Sequence, residues 1–335
     1  MIETIIRKET KENPLLAHMN GKRPVKIFSG RANISLAQEI CDCLNLPLGK
    51  IKVLPFADGE LYVQVQESVR GCEIFLIQPT CTPVNENIME LMIIIDALKR
   101  ASAEKITVVM PYFGYGRQDR KAAGREPITA KLVANLLCHS GATRILALDL
   151  HATQIMGFFD ILVDHLFATP VLVDHIKLLG LKDLVIVSPD VGGVPRARAF
   201  AKKLNDAPIA IIDKRRIHEK QNTVEVLNII GEIKGKTCII VDDMIDTAGT
   251  ISQGAELLAR QGAKEVLACA THGVLSGPAK ERLDGSPLSA VILTNSIPIP
   301  KEKTPEKLKV LSVANLLAEA IKRIHLDDSV SEMFA

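Results

Sequence analysis

The chain has 335 residues, enough for two domains of ordinary size, each with its own core. Lysine and arginine number 41 against 39 acidic residues, and no long single-sign tract is present, which excludes a nucleic-acid arm or an acidic tail and makes any anion site local. Seven scattered cysteines support neither a disulfide framework nor a zinc site, no window reaches about 18 apolar residues, and tryptophan is absent, so the expectation is a cytoplasmic protein with no membrane span and no nucleic-acid partner.

Residues 1–22 mix charges with a few aliphatics and lack the apolar run of a secretory signal, so they are expected to form a flexible arm. From there to residue 165 the chain reads as a first domain. Its strands are "VKIFSG" (25–30), "CEIFLIQP" (72–79), "KITVVMPYF" (105–113) and "TRILALDL" (143–150). Helical spacing of Ile88, Leu91, Met92, Ile95 and Leu98, and of Ile128, Leu132, Val133, Leu136 and Leu137, predicts helices between them. A second domain, 166–330, repeats the pattern. Its strands are "DLVIVSPD" (183–190), "PIAIID" (208–213), "KTCIIVDD" (236–243), "EVLACAT" (265–271) and "LSAVILTN" (288–295), with helices from Pro195 to Leu204, Ile251 to Gly262 and Val313 to Ile324. Nearly continuous apolar strands joined by helices indicate two doubly wound α/β domains with parallel sheets. Ligands in such sheets bind beyond the carboxyl ends of the strands.

Those ends carry the polar residues. In "VDDMIDTAGT" (241–250), Asp246, Thr247, Ala248, Gly249 and Thr250 lead into a helix, whose N-terminal N–H groups can cradle a phosphate. Asp242 and Asp243 are acceptors suited to the vicinal hydroxyls of a sugar. The plainer alternative, that Asp246 or Thr247 caps the helix, accounts for one residue of the set. Other ends bear Asp149 with His151, Asp190 before Gly192 and Gly193, and Arg117 with Arg120. By composition the segment 213–226, "DKRRIHEKQNTVEV", is a solvated loop of a kind that can serve as a lid.

The paired acids followed by D-T-A-G-T resemble the phosphoribose-binding motif of the type I phosphoribosyltransferase fold. "FSGRAN" (28–33), "FADGE" (56–60), "PYFGYGRQDR" (111–120), "GREPITAKL" (124–132), "DLHATQIMGFF" (149–159) and "PDVGG" (189–193) extend the resemblance, over roughly residues 24 to 325, to the ribose-phosphate diphosphokinase family. That resemblance implies transfer of the β,γ-diphosphoryl group of ATP to the anomeric hydroxyl of ribose 5-phosphate, giving AMP and the sugar 1-diphosphate for nucleotide biosynthesis. It implies ATP binding by Arg117, Gln118 and Arg120, with Phe56, Asp58 and Glu60 reaching the nucleotide of a neighbouring subunit. Ribose 5-phosphate falls to Asp242, Asp243 and residues 246–250, Mg²⁺ to His151 and Asp190, and transition-state stabilisation to Lys214 and Arg216. The resemblance further implies a homohexamer activated by phosphate and inhibited by ADP. A phosphoribosyltransferase would need neither "RQDR" nor "FADGE", and a non-catalytic regulatory homologue would be expected to lack Lys214, Arg216 or His151, all of which are present.

Overall fold

The computed structural model describes residues 23–219 and 222–334; the side chains of 214–227 fall outside that description, as does the expected arm, 1–22. The first half contains β1 (Val25–Ser29), α1 (Ile34–Leu44), β2 (Ile51–Pro55), β3 (Leu61–Val65), β4 (Glu73–Ile77), α2 (Val84–Arg100), β5 (Lys105–Met110), α3 (Thr129–Ser140), β6 (Arg144–Leu148) and β7 (Leu162–Leu166). Its sheet runs β1-β4-β5-β6-β7, every pair parallel. All five residues of β4 are buried, as a strand covered by helices on both faces requires. By contrast β2 and β3 form a separate antiparallel hairpin that sequence patterning did not reveal, and neither strand has a fully buried residue.

The second half contains α4 (Thr169–Leu178), β8 (Leu184–Ser188), α5 (Val194–Lys203), β9 (Ile209–Glu219), β10 (Asn222–Ile230), β11 (Thr237–Ile245), α6 (Gly249–Arg260), β12 (Glu265–Gly273), α7 (Ala279–Gly285), β13 (Ala290–Thr294), β14 (Leu308–Leu311) and α8 (Ala314–Leu326). Its sheet runs β10-β9-β8-β11-β12-β13-β14 and is parallel except where β10 returns along β9. The fold is therefore α/β with two mainly parallel sheets, as expected. The segment 213–226 departs from the loop reading, because its described residues, 213–219 and 222–226, belong to the β9–β10 ribbon. The sequence pattern shows β9 only as far as Asp213, because β9 pairs with β8 only from Ile209 to Ile211 and beyond that has β10 alone as a neighbour.

Helix ends follow local chemistry. Asn33 accepts from the Leu36 N–H at 3.3 Å to start α1, Asn45 ends it in the left-handed region, and Pro195 occupies the first turn of α5, where its missing donor costs nothing. The largest buried cluster crosses the two halves. It joins Ile27, Phe75 and Leu146 to Ile186, Ile239 and Leu267, and includes Leu317 and Ile321 of α8. The last helix, α8, returns to pack on α1, and His325 Nδ1 lies 2.8 Å from Glu73 Oε2, with both side chains buried. This shared core holds the carboxyl ends of β6, β11 and β12 against one another, which is where the polar residues converge.

Candidate active site

Buried strand β11 stops abruptly at Ile245, and the next residues bend into α6 with Ala248 in the left-handed region at φ 60°. No side chain caps this helix, so the capping alternative for Asp246 and Thr247 does not hold. The first-turn N–H groups remain as donors for an anion. Arg282 steadies the loop by donating to the Thr247 carbonyl at 2.9 Å. Asp246 Oδ2 accepts from Arg117 Nη1 at 2.7 Å, a pair reaching from one half to the other, whereas Asp246 Oδ1 is the one buried side-chain nitrogen or oxygen among the described residues that has no hydrogen-bond partner. A buried acceptor left unpaired is costly, and a ligand hydroxyl or a bound water is its natural complement.

The two acids on β11 both meet Arg196 but differ in burial and in their other partners. Asp243 is almost wholly buried: its Oδ2 lies 2.7 Å from His151 Nδ1, and its Oδ1 lies 3.4 Å from Arg196 Nη1. Asp242 keeps a quarter of its side-chain surface (26%) and accepts from Arg196 Nη1 at 3.2 Å. Burial, reinforced by the neighbouring Asp243 carboxylate, pushes the Asp242 carboxyl up. Burial works against ionised Asp243 too, but His151 and Arg196 outweigh it and hold this carboxyl well below the usual range. The same hydrogen bond raises His151.

His151 stands on a buried polar seam. Asp149 adopts φ 41°, an uncommon backbone for a residue with a side chain, and its Oδ2 accepts from Ala168 N at 2.8 Å and Thr271 Oγ1 at 2.7 Å. The Asp149 carbonyl accepts from His272 Nε2 at 3.1 Å, and His272 Nδ1 meets Ser296 Oγ at 2.9 Å. Burial lowers His272, so it stays neutral with its proton on Nε2. The Tyr112 ring packs edge-on to His272, 5.0 Å between centres, which ties the seam to the loop carrying Arg117.

Arg117 and Gln118 line a cavity of about 280 Å³ with Asn85, Tyr112, Val274 and Ser276. Gln118 Oε1 accepts from Thr129 Oγ1 at 2.5 Å, leaving its amide nitrogen as donor, and Arg120 is exposed. Gly114 is required here, since a Cβ would lie 2.3 Å from the Thr80 carbonyl oxygen. Phe56, Asp58 and Glu60 are not drawn into this cleft. They sit at the tip of the β2–β3 hairpin, where Glu60 borders a different cavity of about 710 Å³ with Arg31 and Met89, and Phe56 is more than half exposed (54%). Asp190 is exposed, with Oδ1 accepting from Gly193 N at 2.8 Å. Lys214 and Arg216 lie on β9, opposite Leu227 and Glu225 of β10, and the positions of their side chains lie outside the described residues. Arg196, Arg282, Thr271 and His272 were not singled out in the sequence, because only the fold brings them to the acids or to Asp149.

Among the described residues no three His, Cys, Asp or Glu side chains gather as a metal cage. Magnesium needs none when phosphates supply most of its ligands, and the donors present fit that use: Asp190 retains carboxylate lone pairs, and His151 retains Nε2.

Two α/β halves, with an uncapped helix start after a strand end on one side and an arginine and a histidine facing it from the other, define a tandem phosphoribosyltransferase-like protein. Comparison with known proteins narrows the class. The family described as the N-terminal domain of ribose phosphate pyrophosphokinase matches residues 25–141, and the phosphoribosyl synthetase-associated domain matches 217–335. A ribose-phosphate pyrophosphokinase of Synechococcus elongatus is 61% identical over 92% of this chain and 93% of its own. The chloroplastic ribose-phosphate pyrophosphokinase 1 of Arabidopsis thaliana is 60% identical over 92% of this chain and 77% of its own. The crystal structure of phosphoribosylpyrophosphate synthetase from Mycobacterium smegmatis superposes with a TM-score of 0.86 at 44% identity, covering 90% of this chain and 99% of that one. This chain belongs to the ribose-phosphate pyrophosphokinase family.

Proposed function

We propose that the cleft between the two strand-end clusters is the active centre for the family's reaction, in which the anomeric hydroxyl of ribose 5-phosphate attacks the β-phosphorus of ATP. The bond from the β-phosphorus to the α,β-bridging oxygen breaks, AMP leaves with that oxygen, and the hydroxyl proton passes to solvent or a nearby base. The observation that carries the placement is the uncapped start of α6 beside the unpartnered Asp246 Oδ1, which together ask for an anion and a hydroxyl donor. Residues 246–250 hold the 5-phosphate, and Asp242 and Asp243 face the sugar end of the site.

Arg117 and Gln118, with Arg120, bind the nucleotide: guanidinium groups suit phosphates, and the Gln118 amide nitrogen is free to donate to a base edge. Asp190 and His151 would hold magnesium on the polyphosphate, where the ion neutralises charge that accumulates during transfer. Lys214 and Arg216 act on the transferring group from β9. Phe56, Asp58 and Glu60, displaced from their own cleft, complete the nucleotide site of a neighbouring copy, which requires a homo-oligomer and fits a hexamer. Phosphate as activator and ADP as inhibitor complete the proposal. No helix among the described residues is long and apolar enough to cross a membrane, and a cytoplasmic location is proposed.

The reading favours synthesis of the 1-diphosphate over its consumption because the arginine and histidine wall faces the sugar loop directly, through Arg117–Asp246 and His151–Asp243. The test is to incubate the chain with ATP, Mg²⁺ and ribose 5-phosphate and to identify the products. AMP with sugar 1-diphosphate is expected, and no nucleotide turnover would overturn the proposal.

A further inference from the structure

We infer that Asp243 is a positioning residue for His151, holding the imidazole across the cleft, and that the sugar hydroxyls fall chiefly to its neighbour Asp242. The inference rests on the proposed site and refines the roles of its two acids.

Asp243 has little capacity left for a sugar. One oxygen is 2.7 Å from His151 Nδ1, the other faces Arg196 at 3.4 Å, and its side chain is 4% exposed. Asp242, one residue earlier, shares Arg196 Nη1 at 3.2 Å and accepts from the Asp243 N–H at 2.8 Å through the same oxygen, Oδ1, but keeps 26% of its surface. The contact is also held at both ends. Asp243 belongs to a paired strand in the middle of its sheet, and His151 follows Asp149, which Ala168, Thr271 and His272 fix by three hydrogen bonds. The two residues are 92 positions apart in sequence, so the fold brings them together.

A carboxylate on one ring nitrogen sets the tautomer and the ring plane, which leaves Nε2 to face substrate or metal. Asp243 thus ties the nucleotide-side histidine to β11, the strand that also carries the sugar acid Asp242.

Three variants of the full chain, Asp243→Asn, Asp242→Asn and His151→Ala, together with nitrogen-15 NMR of the His151 ring, test this. In the wild type the ring should carry a hydrogen-bonded proton on Nδ1; an unbonded Nδ1 would overturn the inference whether or not any variant folds. D243N should lower kcat by about 10- to 100-fold and shift the ring signals, with the ribose 5-phosphate KM changed less than about threefold. D242N should raise that KM about tenfold and leave the ring signals in place. In the His151→Ala background D243N should cost less than about twofold more. A D243N enzyme with a tenfold higher sugar KM and unmoved ring signals, or with the same kcat loss in both backgrounds, would contradict the assignment. Ring signals need no turnover, so a wild type that releases no AMP would count against the reaction while the Nδ1 result still decided the role of Asp243.

Discussion

Asp242 and Asp243 look interchangeable as letters, yet while both meet Arg196, only Asp243 is buried and bonded to His151, and Asp242 keeps part of its surface. The turn from β11 into a helix at 246–250 was legible because small residues and threonines stand side by side there, and α6 does begin at Gly249. Arg196 was not legible: its role depends on Asp242, 46 positions away, and on Asp243 beside it. His272 is a plain strand residue until the fold sets its Nε2 on a carbonyl 123 positions back. Lys214 was legible only through the family pattern, and its role yields a prediction at this scale. On the proposed role, Lys214→Ala should lower kcat by at least about 100-fold while the ATP dissociation constant moves less than about threefold, because a charge that serves only the transferring group acts in the transition state. Single-turnover rates with equilibrium nucleotide binding would check it; a collapse of ATP affinity would make Lys214 a ground-state ligand instead.

Among the elements, strands buried on both faces announced themselves as apolar runs, and β4 and β11 were found close to their true bounds. The β2–β3 hairpin and β10 did not, and β9 was read only to Asp213: the hairpin buries no residue fully although Ile51, Val53, Val63 and Val65 pack on the core, and β9 leaves β8 after Ile211. The helix start at α6 is the element to which the proposed function assigns the sugar phosphate. Ala248, buried there at φ 60°, holds a conformation that a β-branched side chain resists strongly. Ala248→Val should therefore destabilise the fold by about 1–2 kcal/mol and raise the ribose 5-phosphate KM, whereas Ala248→Gly should do neither. Denaturant unfolding beside steady-state kinetics would check this, and equal behaviour of the two variants would refute it.

As a whole molecule the chain is less divided than its repeating sequence suggests. One buried cluster runs through both sheets, and α8 packs back onto α1, a return that no local pattern could signal because it joins residues almost a chain length apart. His325 and Glu73 mark that junction, buried and bonded at 2.8 Å. Glu73→Ala leaves the imidazole without its acceptor and should cost about 1–3 kcal/mol in global unfolding, with a single transition retained. Two separate transitions in calorimetry would show that the halves fold independently and that the shared core contributes little.

The central claim is that the diphosphoryl group moves as a unit from ATP to the sugar. Its most direct test follows ATP labelled at the β-phosphorus, with Mg²⁺ and ribose 5-phosphate, and separates the products by chromatography. The expected result is unlabelled AMP, in amounts equal to a 1-diphosphorylated sugar carrying the label; labelled ADP would contradict it.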